Sequence, residues 1–132
     1  MTRNSPDIEE ALRRFCAILS SGDAEALADI VTTDHDSIVG VGLDGGLDLG
    51  ADWLSAFQEQ LREDGGFPRV PGERPQCFSH GDVGWFADRP TLHLPDGSQL
   101  HPRLTGVMRH ERGAWRLVQL HASLPAGGSS PG

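Results

Sequence analysis

The sequence contains neither lysine nor tyrosine, and all 11 of its basic residues are arginine. A lysine Schiff base and a tyrosine general acid are therefore excluded as catalytic groups. No run of 18 apolar residues is present, which excludes a membrane-spanning helix. The N-terminus passes directly into a charged segment and lacks the apolar core of a signal peptide. We therefore expect a cytoplasmic protein.

Positive charge and cysteine are also scarce. The formal net charge is −8 and the sequence pI is about 5.0, which disfavours binding to nucleic acid or to an anionic membrane surface. Cys16 and Cys77 are far apart and form no C-x-x-C motif, so a disulfide scaffold and a zinc knuckle are both disfavoured. We expect two buried, reduced thiols and no cofactor.

The helical segments lie in the first half of the chain. Ser5-Pro6-Asp7 has the capping oxygen, early proline and acidic residue typical of a helix start. Apolar residues at helical spacing then predict a helix over residues 6–20. A shorter helix over 23–31, capped by Asp23, and a third over 51–64 are also predicted.

The strands follow, and the clearest is a β-hairpin over residues 97–124, broken at 110–113. Further strands are predicted at 34–42, 76–79 and 83–88, with 91–94 continuing the last of these past a bulge. Residues 67–75 contain three prolines and predict an irregular edge. The chain is thus predicted to be an α+β domain over residues 1–125 with an antiparallel sheet, and we expect residues 126–132 to form a disordered tail.

Two segments resemble a known family. Residues 15–27, FCAILSSGDAEAL, are similar to the opening of SnoaL-like proteins in the nuclear-transport-factor-2-like superfamily, and residues 115–123, WRLVQLHAS, resemble their closing strand. The association domain of calmodulin-dependent kinases shares that ending. The resemblance implies three N-terminal helices packed on a strongly bent antiparallel sheet, which together enclose a conical pocket. It does not select a function, because the superfamily contains isomerases, dehydratases, cyclases and inert binding modules.

Ketosteroid isomerase is the best-understood enzyme of this fold, and its catalytic groups can be sought by position. The resemblance places Phe15 where that enzyme has a tyrosine oxyanion donor, and Gly40 near its aspartate base. Neither residue can donate or accept the required proton. We therefore reject that activity.

Other titratable residues leave alternatives open. His35 and Asp36 could act as a base steadied by an acid, or could belong to a polar turn. By strand parity Asp88 faces inward, where it would be a buried acid or would pair with Arg89 or Arg103. The six histidines lack the spacing of a metal site, so no metal is predicted.

The faces of the last strand can be assigned by alternation. Val118, Leu120 and Ala122 form an apolar face that should point to the helices. Trp115, Gln119 and His121 lie on the opposite, mixed face, which indicates a homodimer interface; a solvated face is the alternative.

We expect the apolar faces of the helices and the sheet to surround one pocket. The protein is thus predicted to bind a small hydrophobic molecule without strong catalysis. The alternative is a lyase, isomerase or hydrolase that acts on a hydrophobic metabolite with Asp36 and His35, or Asp88, as acid–base groups. The predicted ligand-binding residues are Phe15, Trp53, Phe57, Phe86, Asp88, Met108 and Leu120.

Overall fold

A computed structural model describes residues 3–43, 45–66 and 68–125. Within these ranges the helices are Pro6–Ser21 (α1), Ala24–Leu27 (α2) and Ala51–Asp64 (α3), and short 3-10 turns span Ala28–Ile30 and His35–Ser37. The strands are Arg3–Asn4 (β1), Val39–Val41 (β2), Leu47–Leu49 (β3), Arg69–Val70 (β4), Gln76–His80 (β5), Val83–Asp88 (β6), Thr91–His93 (β7), Gln99–Leu100 (β8), Arg103–Glu111 (β9) and Ala114–Ser123 (β10). The predicted tail lies outside the described residues. Among the described residues, no helix is both long and apolar enough to cross a membrane.

The first helix begins as its sequence predicts. The Ser5 hydroxyl accepts a hydrogen bond from the backbone N–H of Ile8 at 3.2 Å, and Pro6 occupies the first turn. The buried side of α1 faces the sheet with Ile8, Leu12 and Phe15, each at most 1% exposed. Capping and amphipathic spacing therefore suffice to define this element.

The second helix is shorter than predicted, because the chain after it joins the sheet. Asp23 caps α2 by accepting from the Ala26 N–H at 3.1 Å, as expected. Val31 then forms a bridge with Leu117, and the Thr32 N–H donates to the Leu117 carbonyl at 2.9 Å. The last predicted turn of helix is thus a 3-10 turn over Ala28–Ile30, and pairing with a distant strand begins at Val31.

The main sheet has the order β1-β5-β6-β9-β10-β2-β3. Its centre is the predicted hairpin of β9 and β10. Strand β2 runs parallel to β10, so the strongly bent sheet is mixed rather than wholly antiparallel. The predicted strand over 34–42 is reduced to β2, since residues 35–37 form a 3-10 turn.

A second, small sheet has the order β4-β7-β8. One prediction is wrong here. Residues 91–93 leave the main sheet after Pro90 and pair with β4 and β8 instead of extending β6. The proline-rich stretch supplies only β4, a two-residue strand at the edge of this sheet, which agrees with the predicted irregular edge.

A β-bulge at Val118 changes the predicted faces of β10. Leu117 pairs with Met108, whereas Gln119 pairs with Val107, so two steps on β10 match one step on β9. One extra residue reverses the orientation of everything before it. Leu117 is consequently 1% exposed on the helix side.

The same bulge corrects the predicted position of Trp115. Trp115 lies on the helix-facing side and packs against the core, with its ring centroid 5.0 Å from that of His110. Gln119 and His121, beyond the bulge, are exposed on the outer face as predicted.

Candidate functional site

The inner face of the sheet opens into a cavity of about 430 Å³ at the end away from the β9–β10 turn. This volume lies within the range usual for small-molecule sites. Helices α1 and α3, the bent sheet and the small second sheet all contribute to the wall, which is mainly apolar.

Four of the predicted ligand-binding residues lie on the cavity wall: Phe15, Trp53, Phe57 and Leu120. Trp53 and Phe57 come from successive turns of α3 and form an edge-to-face pair, with ring centroids 5.4 Å apart. Trp53 lies against the backbone of Gly40, where a Cβ would overlap the indole ring. Glycine at this position therefore allows α3 to approach β2.

Phe86 and Met108 do not line the cavity. They are 2% and 0% exposed and belong to the packed core between α1 and the sheet. The ring of Phe86 covers Gly106, where a Cβ would lie 2.5 Å from the ring atoms. Both residues face inward as predicted, but at the filled end of the inner face.

Asp88 points inward, as its pairing with Leu104 requires, but it is not on the cavity wall. Both carboxylate oxygens accept the backbone N–H of Gly72 at 3.1 Å. Within the described ranges it forms no ion pair with Arg89 or Arg103. Asp88 therefore fastens the loop before β5, a role that neither predicted alternative included.

His35 and Asp36 lie in a 3-10 turn away from the cavity wall. The Asp34 carbonyl accepts hydrogen bonds from the Ser37 N–H at 3.1 Å and from its hydroxyl at 2.8 Å, which closes the turn. Asp36 is exposed. This geometry matches the polar-turn alternative.

No group of three or more possible metal ligands occurs among the residues that the structure describes. His93 pairs with Gln99 across β7 and β8. His101 instead lies next to Thr91, whose hydroxyl is 3.3 Å from its Nδ1.

Sequence analysis did not predict that the cavity wall contains the following polar residues. They include Cys16, Gln60 and Arg69, with Asp48 and Asp64 both exposed. Burial, together with the charge of Asp88, raises the pKa of Cys16 to about 11, although Arg69 and Arg13 oppose the shift. Cys16 is thus a neutral thiol near pH 7 and a weak nucleophile.

The sequence matches a known family over most of its length. The model of the SnoaL-like domain matches residues 8–127. The chain belongs to the SnoaL-like family. None of the curated proteins matches this SnoaL-like sequence.

Solved structures show the same fold. A protein from Thiobacillus denitrificans, assigned as a calcium/calmodulin-dependent protein kinase type II association domain, is 19% identical, with 92% of this chain and 98% of that chain covered and a TM-score of 0.77. A protein from Streptomyces avermitilis, assigned as a dehydratase of the nuclear-transport-factor-2-like family, is 16% identical, with 89% and 93% covered and a TM-score of 0.77. A protein of unknown function from Pectobacterium atrosepticum is 22% identical, with 91% and 89% covered and a TM-score of 0.73. At these identities the likeness concerns the SnoaL-like fold alone.

Proposed function

We propose that this SnoaL-like protein binds a small hydrophobic molecule in the cavity and does not act as a strong catalyst. The observation that carries the proposal is the cavity of about 430 Å³ with Phe15, Trp53 and Phe57 on its wall. Aromatic walls bind flat or oily ligands through contact area and dispersion, with few polar contacts that would impose a reaction.

The alternative is acid–base catalysis on a hydrophobic metabolite. It would use His35 and Asp36, or Asp88, but these side chains lie off the cavity wall. A general base must come within hydrogen-bond reach of the proton that it removes. Their positions therefore favour the binding module, and the neighbouring dehydratase adds a shared fold only.

Uptake of a neutral apolar fluorophore tests the binding proposal. The wild-type protein should take up the dye, and Leu120→Trp, which fills the cavity from β10, should lose uptake while keeping its far-UV circular dichroism. Native mass spectrometry of protein purified from its own host would reveal a carried ligand. Equal uptake by both proteins would place the dye elsewhere and overturn the proposal.

A second proposal concerns the outer face of the main sheet, which we infer to pair with a second copy of the chain. Cross-strand pairing aligns one row of side chains over six strands, and none of them is charged. The row comprises Phe78, Trp85, Val107, Gln119, Val39 and Leu49.

The lack of charge on this row is compatible with a second copy of the chain. Two chains of formal net charge −8 repel each other, and a face without charged side chains adds nothing to that repulsion. Leu49 is 58% exposed in the single chain, and Phe78 and Trp85 are in ring contact at 6.1 Å on the same face. The Thiobacillus denitrificans neighbour is assigned as an association domain, so this fold occurs in a protein named for assembly.

Trp115, which the sequence assigned to the interface, lies on the opposite face, so a variant of Val107 tests the interface instead. Val107→Glu places a charge at the centre of the row and should convert a dimer to a monomer in light scattering. Ala17→Glu, on the exposed side of α1, is the matched control and should leave the dimer intact. A wild-type monomer at high concentration, or a dimer in Val107→Glu, would refute the interface.

A further inference from the structure

Arg69 is a cation on the wall of a mainly apolar cavity. It lies on β4, shares the wall with Leu92 and Pro102, and is half-buried. A charged group in such surroundings requires a partner if its burial is not to cost free energy. The guanidinium of Arg69 therefore requires a partner group.

The backbone of Arg69 is fixed from two sides. Its N–H donates to the Ser20 hydroxyl at 2.8 Å, and its carbonyl accepts from the same hydroxyl at 3.3 Å. On the other side, Arg69 pairs with Leu92 of β7. The backbone from which the Arg69 side chain extends is thus held between α1 and the second sheet, independently of any ligand.

The guanidinium itself has no partner in the described part of the chain: it forms neither an ion pair nor a hydrogen bond there. Two other arginines have carboxylate partners, since Arg62 pairs with Glu25 at 2.7 Å and Arg109 with Glu111 at 3.3 Å. Burial lowers the pKa of Arg69, with Cys16 and Asp64 opposing the shift. Arginine remains protonated in proteins even so, and its N–H donors are therefore available to a ligand.

We propose that the cavity binds a hydrophobic acid, with an apolar body against the aromatic wall and one carboxylate on Arg69. This inference rests on the proposed function and adds the chemical class of the ligand. The planar guanidinium matches the two oxygens of a carboxylate in a bidentate pair. Asp48 and Asp64 on the same wall disfavour an anion of higher charge, such as a phosphate monoester.

A matched pair of probes tests the assignment: 2-naphthoate and the neutral 2-naphthamide, titrated by calorimetry at low salt. The wild-type protein should prefer the naphthoate by about 10-fold or more, since a hydrogen bond to a charged group contributes at least that much. Arg69→Gln should abolish the preference and leave the affinity for naphthamide unchanged. Arg69→Lys should retain part of it.

Arg74→Gln is the control for general electrostatics, because Arg74 is exposed in the same connecting segment. It should behave as the wild-type protein, and an equal loss of preference there would overturn the role of Arg69. If wild-type protein and Arg69→Gln bind both probes equally, the cavity binds ligands but the anion subsite is wrong. If neither probe binds to wild-type protein, the proposed function fails and this inference fails with it.

Discussion

The two ends of the inner sheet face differ in how they are covered. Near the β9–β10 turn, α1 and the sheet interlock, and Phe86, Met108 and Leu117 are at most 2% exposed. Towards the other end, Leu104 of β9 and Leu120 of β10 lie on the cavity wall. We call these the packed end and the hollow end.

The difference shows that apolar character alone does not decide whether a site is filled. Both ends carry leucines on β10, in the same strand and on the same face. At the packed end, Gly106 lets the ring of Phe86 lie directly on the sheet, which closes the space. At the hollow end, Trp53 lies on Gly40 in the same way, but the space between α1, α3 and the sheets stays open.

The largest expected contrast is between two phenylalanines. Phe86→Ala removes a ring from the packed end and should lower the free energy of unfolding by about 3–5 kcal/mol. Phe57→Ala removes a half-buried ring from the cavity wall and should cost about 1 kcal/mol, because that ring already has an open side. Urea denaturation of both variants measures the difference. Equal losses would mean that the hollow end is packed in solution.

Enlarging two leucines of β10 tests the same contrast from the other direction. Leu117→Trp should cost about 1–3 kcal/mol through overpacking, whereas Leu120→Trp should change the thermal midpoint little because the added ring enters the cavity. Thermal melting of ligand-free protein compares them. A sharp drop in the midpoint of Leu120→Trp would contradict an open interior.

Sequence patterns predicted the structural features that local interactions determine. The start of α1 was predictable from Ser5 and Pro6, and the central hairpin from alternation on both sides of residues 110–113. The SnoaL-like family and its cone-shaped fold followed from residues 15–27 and 115–123, and the family match confirms them.

The features that the sequence patterns did not predict depend mainly on contacts between residues that are distant in the chain. The bulge at Val118 arises where β10 also bonds to the segment before β2, and strand alternation cannot detect it. The contact of Asp88 with Gly72 joins the end of β6 to the loop before β5, 16 residues away in the sequence. Arg69 was overlooked because it stands among prolines, where an irregular edge was expected; a charge flanked by Pro68 and Val70 was the available signal.

Alkaline pH offers a smaller but specific test of the hollow end. With no lysine and no tyrosine, the two cysteines are the side chains whose ordinary pKa values lie near 9. Burial, with Asp88 as a further cause, raises the pKa of Cys16 from 9.0 to about 11. Burial, with Glu9 and Asp88, does the same for Cys77.

A folded-state pKa above the unfolded value stabilises the fold below pH 9 and is lost as the pH rises towards 11. The protein should therefore lose about 1 kcal/mol through Cys16 between pH 8 and pH 10, and Cys16→Ala should remove that part of the loss. Cys77→Ala is the matched comparison away from the cavity. If Cys16→Ala alone leaves the alkaline loss unchanged, water in the cavity solvates the Cys16 thiolate.

The smallest expected effect concerns the outer side of the packed end, where Glu111 ties the β9–β10 hairpin to the chain before β2. Its carboxylate accepts from the Thr33 N–H at 2.8 Å and from the Thr32 hydroxyl at 2.9 Å, and Arg109 lies at 3.3 Å. Burial alone would raise the pKa of Glu111, but these hydrogen bonds outweigh it and hold the pKa below the ordinary 4.5.

A depressed folded-state pKa contributes stability that is present above pH 4.5 and is lost as the pH falls through the folded value. Glu111→Gln should therefore cost less than about 1 kcal/mol at pH 7, because solvent screens a site at the sheet edge. The gap between the two proteins should close as the pH falls below 4.5. Glu73→Gln, on an exposed loop, is the control and should show no such convergence. A gap that stays constant from pH 7 to pH 3 would mean that Glu111 acts through packing and not through its charge, and the hairpin would then be held at the packed end by the inner face alone.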